Sequence, residues 1–295
     1  MSPALSEFTI LSNGLRLPCV GLGTYRIRDP DTLRHAIQTA IASGYRLLDT
    51  ASVYRNSGVI GQVLEGIPEE VFLTSKLGPK EMGAERARSA VSSMLRELKR
   101  DSLDCLLIHW PGAQGLSPSD PVNGDLRLQT WRVLEDLYSE GVLKSIGVSN
   151  FNAYHLKGLM EDSKIIPHIN QIECHPQYRQ SELVSFCKEH GIHVQAYSSL
   201  GTTKPSSDPL EKGISPLLQD PTVLKTSAAT NKSPAQVLLR WGLQNGYSVI
   251  PKSVHSERIK ENIQLFDFEI SSKDMKELNG LPIEHKYAWN SESVL

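Results

Sequence analysis

The 295-residue sequence predicts an α/β fold, a (β/α)8 TIM barrel spanning 1–295 as one domain, with a β-hairpin before it and an extra helix near its end. Three observations carry that prediction. Eight short apolar runs recur along the chain, each followed by a longer stretch of helical period. No Pro/Gly/Ser-rich linker divides the series, and a chain of this length suits one barrel. The competing doubly wound sheet would announce a nucleotide site with G-x-G-x-x-G after its first strand. Here the chain reads Gly21-Leu22-Gly23-Thr24-Tyr25, with no third glycine in register.

The elements follow in order. Asn13-Gly14 separates two short apolar segments, 8–11 and 15–17, as the favoured dipeptide of a hairpin turn. The eight apolar runs are 19–22, 46–49, 71–76, 103–109, 143–148, 169–172, 193–197 and 247–251. None alternates strictly, as expected of parallel strands buried on both faces. Leu33, Ala36, Ile37, Ala40 and Ile41 fall on one helical stripe after the first run, and Ala87, Val91, Met94, Leu95 and Leu98 on another after the third. Asp29-Pro30 and Ser233-Pro234 read as an N-cap followed by a first-turn proline, while Gly44, Gly141 and Gly191 stand where helices should stop. The segments 111–125 and 201–221 read as long loops of the kind that carry function, 272–280 as an added helix, and 281–295 as a tail.

Composition narrows the function. Hydrophobic residues make up 39% and charged residues 22%, with a net charge of −2 and no dense Lys/Arg run, so neither nucleic acid nor an anionic membrane is an expected partner. Cys19, Cys105, Cys174 and Cys187 share no CxxC spacing, and three of them have apolar surroundings. Buried free thiols and a reducing compartment are expected. The polar residues 1–8 lack the apolar core of a secretory signal, and no apolar run reaches the about 18 residues a membrane span needs. The expectation is a cytoplasmic protein.

In such a barrel, chemistry gathers at the C-terminal ends of the strands. Three neighbouring strands end in ionisable residues, Asp49, Lys76 and His109, and Tyr54 lies five residues beyond Asp49 in the following loop. Each alone has a commoner role: a helix cap for Asp49, a solvated rim charge for Lys76, a satisfied core residue for His109. Together they complement one another. A buried Lys76 needs a carboxylate, which Asp49 supplies. A cation beside Tyr54 would lower its phenol pKa and tune it as a proton donor, and His109 could orient a substrate oxygen. The set suits carbonyl reduction, where negative charge builds on oxygen. Hydrolysis fits poorly, because G-x-S-x-G and H-E-x-x-H are missing, and His175-Pro176 beside Cys174 offers too few ligands for zinc and reads as structural.

Three ordered segments then resemble the signatures of the aldo-keto reductase family: 44–54 (GYRLLDTASVY), 143–151 (LKSIGVSNF) and 250–258 (IPKSVHSER) continuing to Glu261 and Asn262, with Lys76 and Leu107-Ile108-His109-Trp110 in the intervals. The likeness covers essentially the whole chain. It implies Tyr54 as proton donor, Lys76 and Asp49 as its electrostatic partners, and His109 as orienter of a small-molecule carbonyl substrate. Ser149, Asn150 and Gln171 match the positions that hold the nicotinamide carboxamide, and Tyr197 the ring that stacks on it. Lys252, Ser253 and Arg258 match the pocket for the 2′-phosphate, which implies NADPH; two cations and a hydroxyl suit that dianion. Glu261 and Asn262 would face the adenine, and Gly23, Thr24, Ser198, Leu200 and Val254 complete the implied cofactor contacts, with Asp49 among them. Family likeness also implies a monomer.

Tyr25, Val53 and Trp110 suggest an apolar substrate pocket, consistent with aromatic or aliphatic aldehydes, quinones or lipid-derived carbonyls. Departures from the family pattern bear on that pocket. Tyr25 stands where a tryptophan often does, and the tail after Leu281 is short, although Trp289 could reach the pocket. Ser57 replaces an acidic residue or glutamine, outside the catalytic set. Two other classes compete with an enzyme: a cofactor-bearing regulatory subunit, and a structural protein recruited from a reductase.

Overall fold

The computed structural model describes residues 7–201, 217–281 and 286–295. Strands β1 (Phe8–Ile10) and β2 (Arg16–Pro18) form the expected antiparallel hairpin. Its turn differs from a two-residue connection. Leu11 N–H donates to Leu15 O (2.9 Å) and Gly14 N–H to Leu11 O (2.8 Å), which encloses a three-residue loop. Gly14 alone takes a positive φ, +84°, whereas a two-residue type I′ turn would demand one at Asn13 as well. Asn13 instead uses its side chain, donating to Lys144 O (2.9 Å).

Eight parallel strands follow: β3 (Leu22–Gly23), β4 (Leu47–Asp49), β5 (Phe72–Leu77), β6 (Cys105–Ile108), β7 (Ile146–Ser149), β8 (Ile169–Glu173), β9 (His193–Tyr197) and β10 (Ser248–Val249). They pair in chain order. The sheet closes where Val20 bridges Val249: Gly21 N–H donates to Val249 O (2.9 Å), Val249 N–H to Cys19 O (2.8 Å), and Gly23 N–H to Pro251 O (3.1 Å). Leu11 and Leu17 from the hairpin join Leu47, Phe72, Cys105, Leu107, Ile169 and Ile250 in one buried cluster inside the barrel. Because Lys144 lies just before β7, the hairpin stops the N-terminal end and leaves the C-terminal end open for chemistry.

Helices α1 (Pro30–Ala42), α2 (Ser57–Glu65), α3 (Ala84–Leu98), α4 (Val122–Ser139), α5 (Ala153–Asp162), α6 (Ser181–Glu189), α7 (Pro221–Thr230), α8 (Pro234–Gln244), α9 (Ser256–Ile263) and α10 (Ser272–Asn279) cover the outside. The α1 stripe is buried as expected; in α3, Leu95 is only half-buried while the other four stripe residues are buried. Asp29 and Ser233 cap α1 and α8 with their side chains, accepting from Thr32 N–H and Gln236 N–H. Gly44, Gly141 and Gly191 follow their helices with positive φ. All four cysteines are buried and free.

Two loop expectations are revised. α4 starts at Val122 rather than after 125, directly behind Pro121. Of 201–221, residues 202–216 lie outside the described residues, and Pro221 opens a helix because Asp220 caps it by accepting from Thr222 N–H (2.8 Å). That Asp-Pro pair repeats the signal that starts α1. α10 matches the added helix. No described helix is long and apolar enough to cross a membrane.

Candidate active site

Asp49 ends β4, Lys76 lies near the end of β5, and His109 follows β6. Adjacent parallel strands thus bring them to one rim. Lys76 is fully buried and Asp49 nearly so, at 0% and 2% exposure. The Lys76 ammonium donates to Asp49 Oδ1 (2.7 Å), Asp49 Oδ2 (2.8 Å) and Thr50 O (3.0 Å). All three of its protons therefore have acceptors, which is what a buried ammonium requires. Burial still holds the Lys76 pKa below its ordinary value, with Asp49 pulling the other way.

Tyr54 belongs to a short 3₁₀ turn, Ser52–Tyr54, rather than to an irregular loop. Lys76 Nζ lies 5.2 Å from the centroid of its ring. His109 meets that ring edge-on at 5.7 Å. The electrostatics depart from expectation at this point. The phenol is not lowered: burial, then Asp49, push the Tyr54 pKa well up. Burial is the larger cause, and the Asp49 carboxylate, 2.7 Å from Lys76 Nζ, answers that cation's charge. Burial and then Lys76 push the His109 pKa down to about 3, so its imidazole is neutral at physiological pH.

The carboxylate also orders the neighbouring strand ends. Gln171 on β8 donates both amide protons, to Asp49 Oδ2 (2.7 Å) and Gln195 Oε1 (2.7 Å), so its own oxygen is the atom left to accept. Ser149 donates to Gln171 O (2.8 Å), Asn150 to His109 O (2.9 Å), and the Tyr197 hydroxyl to Asn150 Oδ1 (2.6 Å). Asn150 and Ser198 have φ of +64° and +50°. Left-handed backbone at such residues is uncommon and concentrates at functional sites. Leu200 is half-buried two residues beyond Ser198.

Past β10, Lys252 and Arg258 are exposed, Val254 is half-buried, and Ser253 is buried at the approach to α9. Neither cation forms an ion pair among the described residues. Two of the expected contact residues have other engagements. Thr24 is buried and donates both its amide (3.0 Å) and its hydroxyl (2.9 Å) to Asp49 O, so it positions the carboxylate strand. Glu261 Oε1 accepts from Ser233, the cap of α8, while Asn262 is buried. Gly23 sits flush against Ile250, where an added Cβ would lie 2.8 Å from the carbonyl oxygen.

The mouth is aromatic. Tyr25 packs tilted against Tyr54 at 5.1 Å and meets Trp289 edge-on at 6.1 Å. Tyr25, Val53 and Trp289 are exposed to 36%, 49% and 56%. Such solvent-facing apolar side chains, gathered at one rim, form a candidate binding surface; Trp110, next in sequence to His109, is half-buried. The tail thus brings Trp289 against Tyr25. His175, read as structural, is buried and bonded to Glu173 (3.1 Å).

Sequence reasoning missed Glu173 and Gln195. Both are polar residues buried on strands at the barrel's centre, and a polar side chain buried on a strand was the available signal.

A family model described as Aldo/keto reductase family matches residues 19–282. The chain is 37% identical over 298 residues to a glyoxal reductase of Bacillus subtilis, covering 100% of both chains. It is 37% identical over 274 residues to a 9,11-endoperoxide prostaglandin H2 reductase of Trypanosoma cruzi, covering 92% of this chain and 90% of that one. Among solved structures, an aldo-keto reductase from a deep-sea metagenome library superposes with a TM-score of 0.86 at 35% identity, over 97% of this chain and 99% of that chain. An aldose reductase from Schistosoma japonicum gives 0.84 at 36% identity, over 95% and 94%.

Proposed function

Because the chain belongs to the aldo-keto reductase family, we propose that it reduces aldehydes and ketones to alcohols with NADPH, with Tyr54 as the proton donor. The observation that carries this reading is the buried Asp49–Lys76 pair beneath the Tyr54 ring, with a neutral His109 edge-on beside it.

The residues present fit the dinucleotide. Ser149, Asn150 and the Gln171 oxygen would hold the carboxamide, and the Tyr197 ring would stack on the nicotinamide. Gly23, Ser198 and Leu200 would line its path across the rim. The exposed Lys252 and Arg258, with the Ser253 hydroxyl and Val254 between them, would take the 2′-phosphate; this preference for NADPH rests on their charge. Thr24 and Glu261 would act through Asp49 and the α8 cap rather than by direct contact. When bound, NADPH supplies the hydride.

The protein's own part is positioning and proton delivery. A neutral His109 donates one N–H to the substrate oxygen and holds the carbonyl over Tyr54. The raised phenol pKa keeps Tyr54 protonated across the physiological range. A weak acid suffices, because the alkoxide generated by reduction is a far stronger base than a phenolate. The Lys76 ammonium, 5.2 Å from the Tyr54 ring centroid, would offset part of the negative charge appearing on the phenol oxygen, the rest of its field being taken up by Asp49. Tyr25, Val53, Trp110 and Trp289 would receive the organic part of the substrate.

The test is oxidation of NADPH with a panel of small and bulky carbonyls, repeated with Tyr54→Phe and with NADH. Turnover that collapses in Tyr54→Phe and weakens with NADH supports the reading. Tight NADPH binding with no turnover on a broad panel moves a regulatory or structural role to the front.

A further inference from the structure

Glu173 closes β8 but plays no part in the chemistry above, although it is 1% exposed and deep among other elements. Its carboxylate faces the tail. Tyr287 N–H donates to Oε1 (2.6 Å) and Ala288 N–H to Oε2 (2.8 Å), while His175 Nε2 lies 3.1 Å from Oε1. These are two successive backbone amides held by the two oxygens of one buried group. A tail segment with no helix or strand of its own has few ways to satisfy its amides, so this contact fixes its path. On one side the Tyr287 hydroxyl donates to Gln177 Oε1 (3.1 Å), and its ring packs on His175 at 5.1 Å. On the other side comes Trp289, edge-on to Tyr25 in the substrate mouth. Further on, Arg127 donates to Leu295 O (2.6 Å) and His155 bonds Val294 O (2.7 Å), so the tail is held at both ends of the crossing.

We propose that Glu173 is a specificity-determining positioning residue: its carboxylate clasps the Tyr287 and Ala288 amides, and that clasp sets Trp289 as the wall of the substrate pocket. The inference rests on the reductase reading of the pocket, but its structural half does not. The selectivity of the site is thereby tied to a residue that touches neither substrate nor cofactor. A cavity of about 40 Å³ lies beneath the tail, bordered by Asn150, Glu173, Lys286 and Glu292 among others.

The experiment compares Glu173→Gln and Ala288→Pro with the native chain. Glu173→Gln keeps the shape but turns one acceptor into a donor facing an amide. Ala288→Pro deletes one donor from the half-buried tail and leaves the core untouched, so it covers the case in which Glu173→Gln does not fold. Chymotrypsin cleavage after Tyr287 and Trp289, followed by mass spectrometry, reports the clasp without any activity. About a tenfold acceleration is expected in Glu173→Gln and a smaller one in Ala288→Pro, the order expected for losing charge-assisted hydrogen bonds. With NADPH saturating, KM for a bulky aromatic aldehyde should rise about five- to tenfold, while kcat for a two- or three-carbon aldehyde stays within about twofold. A uniform fall in kcat for both substrates, or native-like cleavage in both variants, overturns the proposal. If the native chain reduces no carbonyl, the reductase reading fails by itself, and the cleavage rates still decide whether the clasp exists.

Discussion

Replacing Asp49 by Asn would leave Lys76 with its ammonium buried and its principal acceptor neutralised. The native lysine has three acceptors, two of them on the carboxylate, and no solvent. Removing one partner of a buried pair costs about 3–5 kcal/mol, because the stranded charge keeps its desolvation penalty. With a urea m-value of about 3 kcal/mol/M for a chain of this size, the unfolding midpoint should fall by about 1–1.7 M. The double substitution Asp49→Asn with Lys76→Met removes the stranded charge, and stability should return to within about 1–2 kcal/mol of native. The Asp49→Asn protein carries a second signature. Burial already holds the Lys76 pKa below its ordinary value, and losing the carboxylate depresses it further. The unfolded state then binds the extra proton between the folded and unfolded lysine pKa values, so stability should rise with pH towards about 10. Urea titrations of the native protein, Asp49→Asn, Lys76→Met and the double mutant at pH 7 and pH 9 check both points. A single-mutant cost under about 1 kcal/mol, or a double mutant as unstable as the sum of the singles, would refute the argument that an uncompensated charge dominates.

Other outcomes follow from the same geometry. Tyr54→Phe should lower kcat by about 10²–10⁴-fold, the usual worth of a positioned general acid, while NADPH still quenches protein fluorescence; loss of binding would make Tyr54 a cofactor contact instead. Lys252→Met and Arg258→Met should each weaken NADPH binding by about ten- to a hundredfold and leave NADH binding within about threefold, measured by fluorescence titration at low salt. Buried His109, His155 and His193 have pKa values pushed down to about 3, 4 and 4, mainly by desolvation. Because the unfolded chain takes up these protons first, stability should fall as pH drops from about 6.5 to about 4, and His193→Gln should flatten that slope in urea titrations. Gly61→Ala should cost more than about 2 kcal/mol, because its Cβ would lie 2.4 Å from Glu97 O where α2 crosses α3; thermal unfolding reads this directly.

The barrel was legible because periodicity and punctuation agreed. Apolar runs marked the strands, and Asp29-Pro30 and Ser233-Pro234 marked helix starts where the caps are found. The Asp49–Lys76 contact was also legible, since strand adjacency and charge demanded it. What escaped depended on distance in the chain. The phenol pKa was misjudged because a nearby cation was weighed without the burial of the ring or the carboxylate that answers that cation. Thr24 and Glu261 also carry hydrogen bonds that their positions in the sequence do not announce, to Asp49 O and from Ser233. Glu173 escaped because its partners lie more than a hundred residues away, at Tyr287 and Ala288. Asp220-Pro221 carried the same signal as Asp29-Pro30 and was passed over inside a segment read as loop.

The seam between Val20 and Val249 joins the first barrel strand to the last. As the polypeptide emerges from the ribosome, every other strand pair can zip to a neighbour already made. This one must wait for β10, so until then the growing sheet keeps two unsatisfied edges, the exposed state that invites aggregation. Closure at such sequence separation is entropically slow. Maturation should therefore hinge on a post-translational step in which the hairpin-stoppered N-terminal segment receives β10, and substitutions at Val20 or Val249 should reduce the yield of soluble protein more than the stability of the finished molecule.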